Sequence, residues 1–335
     1  MTDFSRRGFG GLMIGGALGL AAHAASASDS IDECGFVKIC GIDQWIAIQG
    51  QNRSNPIILF LHGGPGEAQS PFLDQFKPWQ RDFTVVNWDQ RGAGKTYEKN
   101  GKATPDVTMV RLASDAVEIA RYVLKKLGKQ KLILVGQSFG SGLGLMVARR
   151  APELFYCMVG AAQFVSTALA VQGWEAWTRQ EAARRHDVAG LKALDVAAKQ
   201  PILSRERMMA ARKWVMSPPD QAYIQRQMAF IGSPDHPKPE AAAWVEGYGF
   251  ESKKLAPDSA VFDARKDAPV LVVPYVLIQG REDHVTPLGP AKAYFDLVVS
   301  KSKAFVAIDG GHFACFTNTG AFLAALRAHV LPLTR

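Results

Sequence analysis

Cysteine, contiguous positive charge and long apolar runs are all scarce in this chain. Only Cys34, Cys40, Cys157 and Cys315 occur in 335 residues, and no C-x-x-C or His/Cys cluster accompanies them, so no metal-binding spacing is present. Cys34 and Cys40 flank Gly35-Phe36-Val37-Lys38-Ile39, which alternates as a strand does. A strand of that length spans roughly 20 Å, whereas a disulfide needs Cα atoms within about 7 Å. The two cannot pair within such a strand. Cys157 and Cys315 sit in apolar runs and read as buried thiols. The net charge is +8, but Lys125-Lys126, Arg149-Arg150, Arg184-Arg185 and Lys253-Lys254 are scattered beside apolar helical positions. They read as solvated helix faces, so no nucleic-acid partner is expected. No internal repeat is visible. With 47% hydrophobic and 21% charged residues, the chain has the composition of a soluble globular protein.

What is present begins with a leader. Ser5-Arg6-Arg7-Gly8-Phe9 precedes Met13 to Ala27, a Gly- and Ala-rich stretch without charge, and Ala22-His23-Ala24 and Ala25-Ser26-Ala27 are both A-x-A sites. A basic start, an apolar middle and small-residue cleavage sites make a secretory signal. The arginine pair resembles the twin-arginine export motif, with Gly10 where a large apolar residue usually stands. A membrane anchor would need about 20 strongly apolar residues. Residues 1–27 are therefore expected to be an export signal, and the mature protein to be periplasmic or secreted without stable membrane association.

The remainder alternates between strand and helix signals. Gly35–Ile39 and Gln44–Gln49 predict a hairpin about Gly41-Ile42-Asp43. Pro56–Leu61, Phe83–Trp88, Lys131–Val135, Cys157–Val165, Tyr275–Gly280 and Ala304–Ile308 are apolar runs of strand length. Thr108 opens a helix whose Leu112, Ala116, Ile119, Val123 and Leu127 share one face, and Gly128 stops it. A last helix is expected from about Thr319 to Leu331. Strands apolar throughout, alternating with helices, predict an α/β fold with a mostly parallel central sheet covered on both faces. From 167 to 265 the strand signals vanish and an amphipathic, tryptophan-bearing stretch broken by prolines takes their place. The expected organisation is a core of 28–166 and 266–335, with a helical cap at 167–265.

The chemistry gathers at predicted strand ends. Gly136-Gln137-Ser138-Phe139-Gly140 fits G-x-S-x-G, the turn in which a serine is lifted between a strand and a helix and the glycines let the two pack closely. A serine hydroxyl needs a base to take its proton, and that base needs an acid to orient it. In this arrangement they follow in the order Ser, acid, His. Asp283, in Gly280-Arg281-Glu282-Asp283-His284, is the expected acid, with Glu282 and then Asp309 as rivals. His312, in Gly310-Gly311-His312-Phe313, is the expected base. His284 adjoins the acid too closely to receive its hydrogen bond and reads as a pocket or surface residue. His62 ends a strand and reads as a support for the next loop. An oxyanion needs two backbone N–H donors. These are expected from Phe139 and from His62-Gly63-Gly64-Pro65-Gly66, with Gly64 preferred to Gly63. Asp89 and Arg91 read as a structural ion pair steadying their loop rather than as substrate contacts. The chemistry implies no cofactor and no metal, only a small-molecule or short-peptide substrate.

These motifs together with Asp89-Gln90-Arg91-Gly92-Ala93-Gly94 resemble the proline iminopeptidases, serine peptidases of the α/β-hydrolase fold with a helical cap. The likeness covers most of the chain after the leader and is weakest in the cap. It implies release of an N-terminal residue, often proline, from a peptide, with Ser138, Asp283 and His312 as the triad. Family members often carry Trp after the nucleophile, where this chain has Phe139. They also use cap carboxylates to hold the substrate's α-amino group. Glu175, Glu181 and Glu246 are the candidates here. If none of them faces the pocket, a carboxylesterase, amidase or lactonase with the same triad is the competing expectation. An inactive binding protein on the same fold is the third.

Overall fold

Cys40 and Gly41, with φ of 43° and 88°, turn the chain back on itself between β1 (Ile31–Ile39) and β2 (Ile42–Gly50). Two successive residues at positive φ make the tight turn whose twist suits an antiparallel hairpin, and Ile39 lies opposite Ile42. The structure, a computed structural model, describes residues 29–335; the expected export signal lies outside them. Cys34 stands within β1 opposite Ala47, and all four cysteines are free.

The remaining strands are β3 (Ile57–Leu61), β4 (Thr84–Trp88), β5 (Leu132–Gln137), β6 (Phe155–Ala161), β7 (Val270–Leu271), β8 (Tyr275–Gly280), β9 (Val299–Ser300) and β10 (Lys303–Ile308). Eight of them form one sheet in the order β1-β2-β4-β3-β5-β6-β8-β10, and β7 and β9 form a small separate pair. β2 pairs antiparallel with both neighbours, while every pairing from β4 onward is parallel. The central strands are buried from end to end because both faces are covered.

The helices are α1 (Gly94–Asn100), α2 (Met109–Leu127), α3 (Phe139–Arg150), α4 (Thr167–Arg184), α5 (Val188–Ala197), α6 (Arg205–Ala211), α7 (Pro218–Ile231), α8 (Lys238–Val261), α9 (Ala264–Asp267), α10 (Leu288–Leu297), α11 (Ala314–Thr317) and α12 (Thr319–His329). α2 begins where Thr108 accepts a hydrogen bond from the Arg111 N–H and ends at Gly128 in the left-handed region. Its apolar face joins α3 and α10 in one core on one side of the sheet. α12 closes a second, aromatic core on the other side, in which Phe60, Phe76 and Trp79 meet edge to face.

The five helices α4–α8 enter after β6, which pairs with β5, and return before β8, which pairs with β6 on its other side. α8 is the longest of them, and it lies along two core loops. Trp244 Nε1 donates to the Ala68 carbonyl at 2.9 Å, and Ser252 Oγ to the Pro65 carbonyl at 2.7 Å. A Cβ on Gly66 would sit 2.7 Å from the Tyr248 Cα, and one on Gly92 would sit 3.2 Å from the Phe250 ring.

Candidate active site

Ser138 sits at φ 54°, ψ −123° between the end of β5 and the start of α3. Few residues other than glycine adopt that conformation, and it marks a locally strained, over-determined turn. Its neighbours show what holds it there. A Cβ on Gly140 would lie 2.6 Å from the His62 carbonyl oxygen and closer still to that of Leu61. One on Gly136 would lie 2.6 Å from the Gly140 carbonyl carbon. Only hydrogen at both positions lets α3 start this close to β3 and β5.

His312 follows β10, and its Nε2 is 2.9 Å from Ser138 Oγ. Its Nδ1 is 3.1 Å and 3.2 Å from the two carboxylate oxygens of Asp283, which follows β8. A continuous hydrogen-bonded line thus runs from hydroxyl to imidazole to carboxylate. Asp283 is 1% exposed and fully engaged. Its Oδ1 accepts the backbone N–H groups of Val285 and Thr286, each at 2.9 Å. Its Oδ2 accepts Thr286 Oγ1 at 2.7 Å and Gln279 Nε2 at 2.8 Å. Burial pulls the imidazolium of His312 downward, but the Asp283 carboxylate, its hydrogen bond, and the further carboxylates of Asp220 and Glu67 outweigh it. The His312 pKa is raised above 6.5.

The rivals fall away on geometry. Glu282 is exposed, and Asp309 points to solvent, where it pairs with Arg281 at 3.2 Å. His284 stacks flat on Trp177 with ring centroids 3.5 Å apart. His62 is completely buried; its Nε2 accepts the Gln90 N–H at 3.1 Å, so its proton is on Nδ1, donated to the Gly63 carbonyl at 3.0 Å. Burial pushes its pKa down to about 4, which keeps it neutral as a loop support. Asp89 and Arg91 do not pair with each other. Arg91 makes a bidentate, buried pair with Asp115 at 2.7 Å and 3.0 Å. Asp89 instead accepts the N–H groups of Ser70 and Lys95.

The backbone N–H groups of Gly64 and Phe139 have no acceptor among the described residues, and both residues line the cavity over Ser138. Gly64 is at φ 107° and open to that cavity. Gly63 lies buried behind it, where a Cβ would meet Ser138 Cβ at 3.1 Å.

Two cavity lobes meet at Ser138, sharing Gly64, Arg212, Tyr248 and Val285. One, about 390 Å³, lies on the His312 side and is walled by Glu67, Trp244 and Phe313. The other, about 440 Å³, is largely apolar, with Phe139, Phe164, Trp174, Leu203 and Met208. None of the three cap carboxylates expected to hold an amino group reaches either lobe. Glu175 forms an ion pair with Arg207. Glu181 is held by Arg184 and Arg185, whose hydrogen bonds lower its pKa to about 2. Glu246 receives the Tyr97 hydroxyl at 3.3 Å. These expectations are corrected for a simple reason: each acid already has a partner away from the lobes, that of Glu175 on α6, that of Glu246 on α1 and those of Glu181 at the end of its own helix.

The carboxylate in the pocket is one that the sequence reading passed over. Glu67 ends the glycine-rich loop, lies only partly accessible at the floor of the smaller lobe, and has no side-chain partner among the described residues. Burial raises its pKa to about 7. Its position directly after Gly66 was the available signal.

Comparison with known proteins agrees with this fold. A family model described as alpha/beta hydrolase fold matches residues 56–319. A probable aminopeptidase of Bacillus subtilis is 27% identical over 307 residues, covering 85% of this chain and 92% of the relative. A proline iminopeptidase of Thermoplasma volcanium is 32% identical over 118 residues, 35% of this chain and 37% of the relative. Among solved structures, a proline iminopeptidase-related protein of Thermus thermophilus superposes with a TM-score of 0.60 at 18% identity, over 90% of this chain and 99% of the other.

Proposed function

The chain belongs to the α/β-hydrolase fold family, and from that premise we propose that it is a serine hydrolase that releases an N-terminal residue from a peptide through an acyl-enzyme on Ser138. The observation that carries the reading is the unbroken line Ser138–His312–Asp283. Asp283 fixes the imidazole so that Nε2 faces the hydroxyl. As Ser138 Oγ attacks the scissile carbonyl carbon, His312 Nε2 takes the hydroxyl proton. The carbonyl oxygen becomes an oxyanion, which the free N–H groups of Gly64 and Phe139 receive. The tetrahedral adduct collapses, the C–N bond breaks, and His312 returns its proton to the leaving amine. A water, deprotonated by the same nitrogen, then frees the acyl group and restores Ser138.

The preference for an amino terminus rests on Glu67, not on the cap acids. A substrate ammonium is matched by an unpaired carboxylate in the cavity that holds the nucleophile. Similarity to a relative named as an aminopeptidase over most of both chains supports the same reading. The competing ester or lactone hydrolase is favoured by one feature, the apolar lobe beside Phe139, which would take a neutral acyl chain. The twin-arginine-like leader supports action outside the cytoplasm, in the periplasm or the medium; fractionation of cells expressing the full chain tests that location.

Hydrolysis of proline p-nitroanilide, its N-acetyl derivative and p-nitrophenyl butyrate by the purified protein tests the activity, with Ser138→Ala alongside. Turnover of the free proline amide that acetylation removes is the expected result. Cleavage of the ester alone would retain the triad and discard the peptidase. Full activity in Ser138→Ala would overturn the assignment.

A further inference from the structure

Asp220 lies in the first turn of α7, in the cap, yet both oxygens of its carboxylate reach the loop that carries the base. Its Oδ2 accepts the His312 backbone N–H at 2.8 Å, and its Oδ1 accepts that of Phe313 at 3.0 Å. Ser217, which caps α7, donates its hydroxyl to Asp220 Oδ2 at 2.8 Å and fixes the carboxylate in turn. The group is 1% exposed. There is no slack in the arrangement: a Cβ on Gly311 would lie 2.5 Å from Ser217 Oγ and 2.8 Å from Asp220 Cγ. One turn further along α7, Tyr223 packs on Phe313 with ring centroids 4.8 Å apart. The base is therefore gripped at two points, at Nδ1 by Asp283 of the core and at its own main chain by the cap.

We infer that Asp220 is a positioning residue for the general base, through which docking of the cap sets the register of His312 against Ser138. This rests on the proposed hydrolase reading for its kinetic consequence, though not for its physical one. The carboxylates that raise the affinity of His312 for its proton are Asp283 from the loop after β8, Asp220 from α7 and Glu67 from the loop after β3, and Arg212 lines the same lobe as the imidazole. Removing the Asp220 charge leaves two of them and lowers the affinity of the imidazole for its proton. An amide at that position also offers one acceptor where two backbone N–H groups now have one each, so one of them is orphaned.

The test is Asp220→Asn in the full chain, read by NMR titration of the His312 ring without substrate and by the pH profile of p-nitrophenyl butyrate hydrolysis. The expected results are a downward shift of the His312 titration by up to about one unit, and a kcat about tenfold to a hundredfold lower with KM changed less than about twofold. A role confined to holding the cap in place would move the titration through the lost charge alone and leave kcat of the folded protein unchanged. A kcat within about twofold of the parent overturns the inference, whether or not the titration moves. If Asp220→Asn does not fold, Ser217→Ala decides, since it keeps the charge and removes its anchor. A fall in kcat at constant KM supports the role, and an unchanged kcat overturns it. If the parent protein turns over no ester or amide, the hydrolase reading fails, while the NMR titration still tests whether the Asp220 charge acts on His312.

Discussion

Replacing Glu67 by glutamine separates the two enzymatic readings. The carboxylate has no partner to lose, so the amide leaves no orphaned charge or donor elsewhere, and the fold is expected to persist. A charge-assisted hydrogen bond between a substrate ammonium and Glu67 contributes about 1.5–3 kcal/mol, which is roughly a tenfold to a hundredfold change in kcat/KM on proline p-nitroanilide at pH 8. Hydrolysis of p-nitrophenyl butyrate, which carries no amine, is expected to hold steady. The pH dependence sharpens the test. Glu67 is raised to about 7, so its anionic form is gained as pH rises through that value. His312 is also raised above 6.5, so its neutral, proton-accepting form is gained as pH rises too. Two deprotonations then govern the acid limb for the amine substrate and one governs it for the ester. The steeper limb is expected to revert to the shallower one in Glu67→Gln. Equal losses on both substrates, or no loss on either in a folded protein, would refute the reasoning.

Other expectations follow from the same geometry. Asp283→Asn takes away the acceptor that holds the His312 tautomer, and its kcat is expected to fall by about 10⁴, less than in Ser138→Ala; because the carboxylate also accepts the Val285 and Thr286 N–H groups and the Gln279 amide, a lower thermal midpoint is expected with it. Gly140→Ala forces a methyl against the carbonyls of Leu61 and His62. It is expected to cost about 1–3 kcal/mol in denaturant unfolding and to lower kcat by moving Ser138 off its partners. Glu251 is wholly buried in α8 with neither oxygen hydrogen-bonded, and burial, with some help from Asp89, holds its pKa well above 4.5. An acid raised in this way stabilises the fold below its unfolded pKa and loses that contribution as pH rises. Glu251→Gln is therefore expected to raise the thermal midpoint at pH 8 relative to the parent and to flatten its decline with pH. A parent whose midpoint is insensitive to pH over about three units, from roughly pH 5 to pH 8, would contradict this.

Much of the core was legible because local chemistry and tertiary context agree there. The Thr108 cap, the one-sided apolar face of α2 and the Gly128 stop lie within a single segment. Ser138, Asp283 and His312 stand just past the ends of apolar strand runs, where the turn chemistry is readable from sequence. The strand expected over Cys157–Val165 ends instead at Ala161, since Ala162 turns to φ 54° and Gln163 donates its N–H to the Gln279 side chain. The pairing of Arg91 was misread because Asp115, its partner, is on α2, two elements away in sequence. Cap acids could not be sorted by pattern, because an unpaired glutamate and a paired one look alike on a helix. Glu181 is an instructive case, with its two arginines standing three and four residues on. Glu67 escaped notice because the wall that makes it a pocket residue comes from Trp244 and Tyr248, far along the chain.

The course of α8 bears on how such an enzyme could change its diet. The same helix that walls both lobes through Tyr248 also buttresses the Gly64–Gly66 loop and presses on Gly92. The lining of the cavity and the Gly64–Gly66 loop are thus not separable modules. An exchange of cap segments between related hydrolases would carry the intended pocket only if Trp244, Tyr248 and Ser252 travelled with the Ala68, Gly66 and Pro65 they meet. Recombination points placed between α4 and α7 leave those contacts intact, and α8 is the part to inherit with the core.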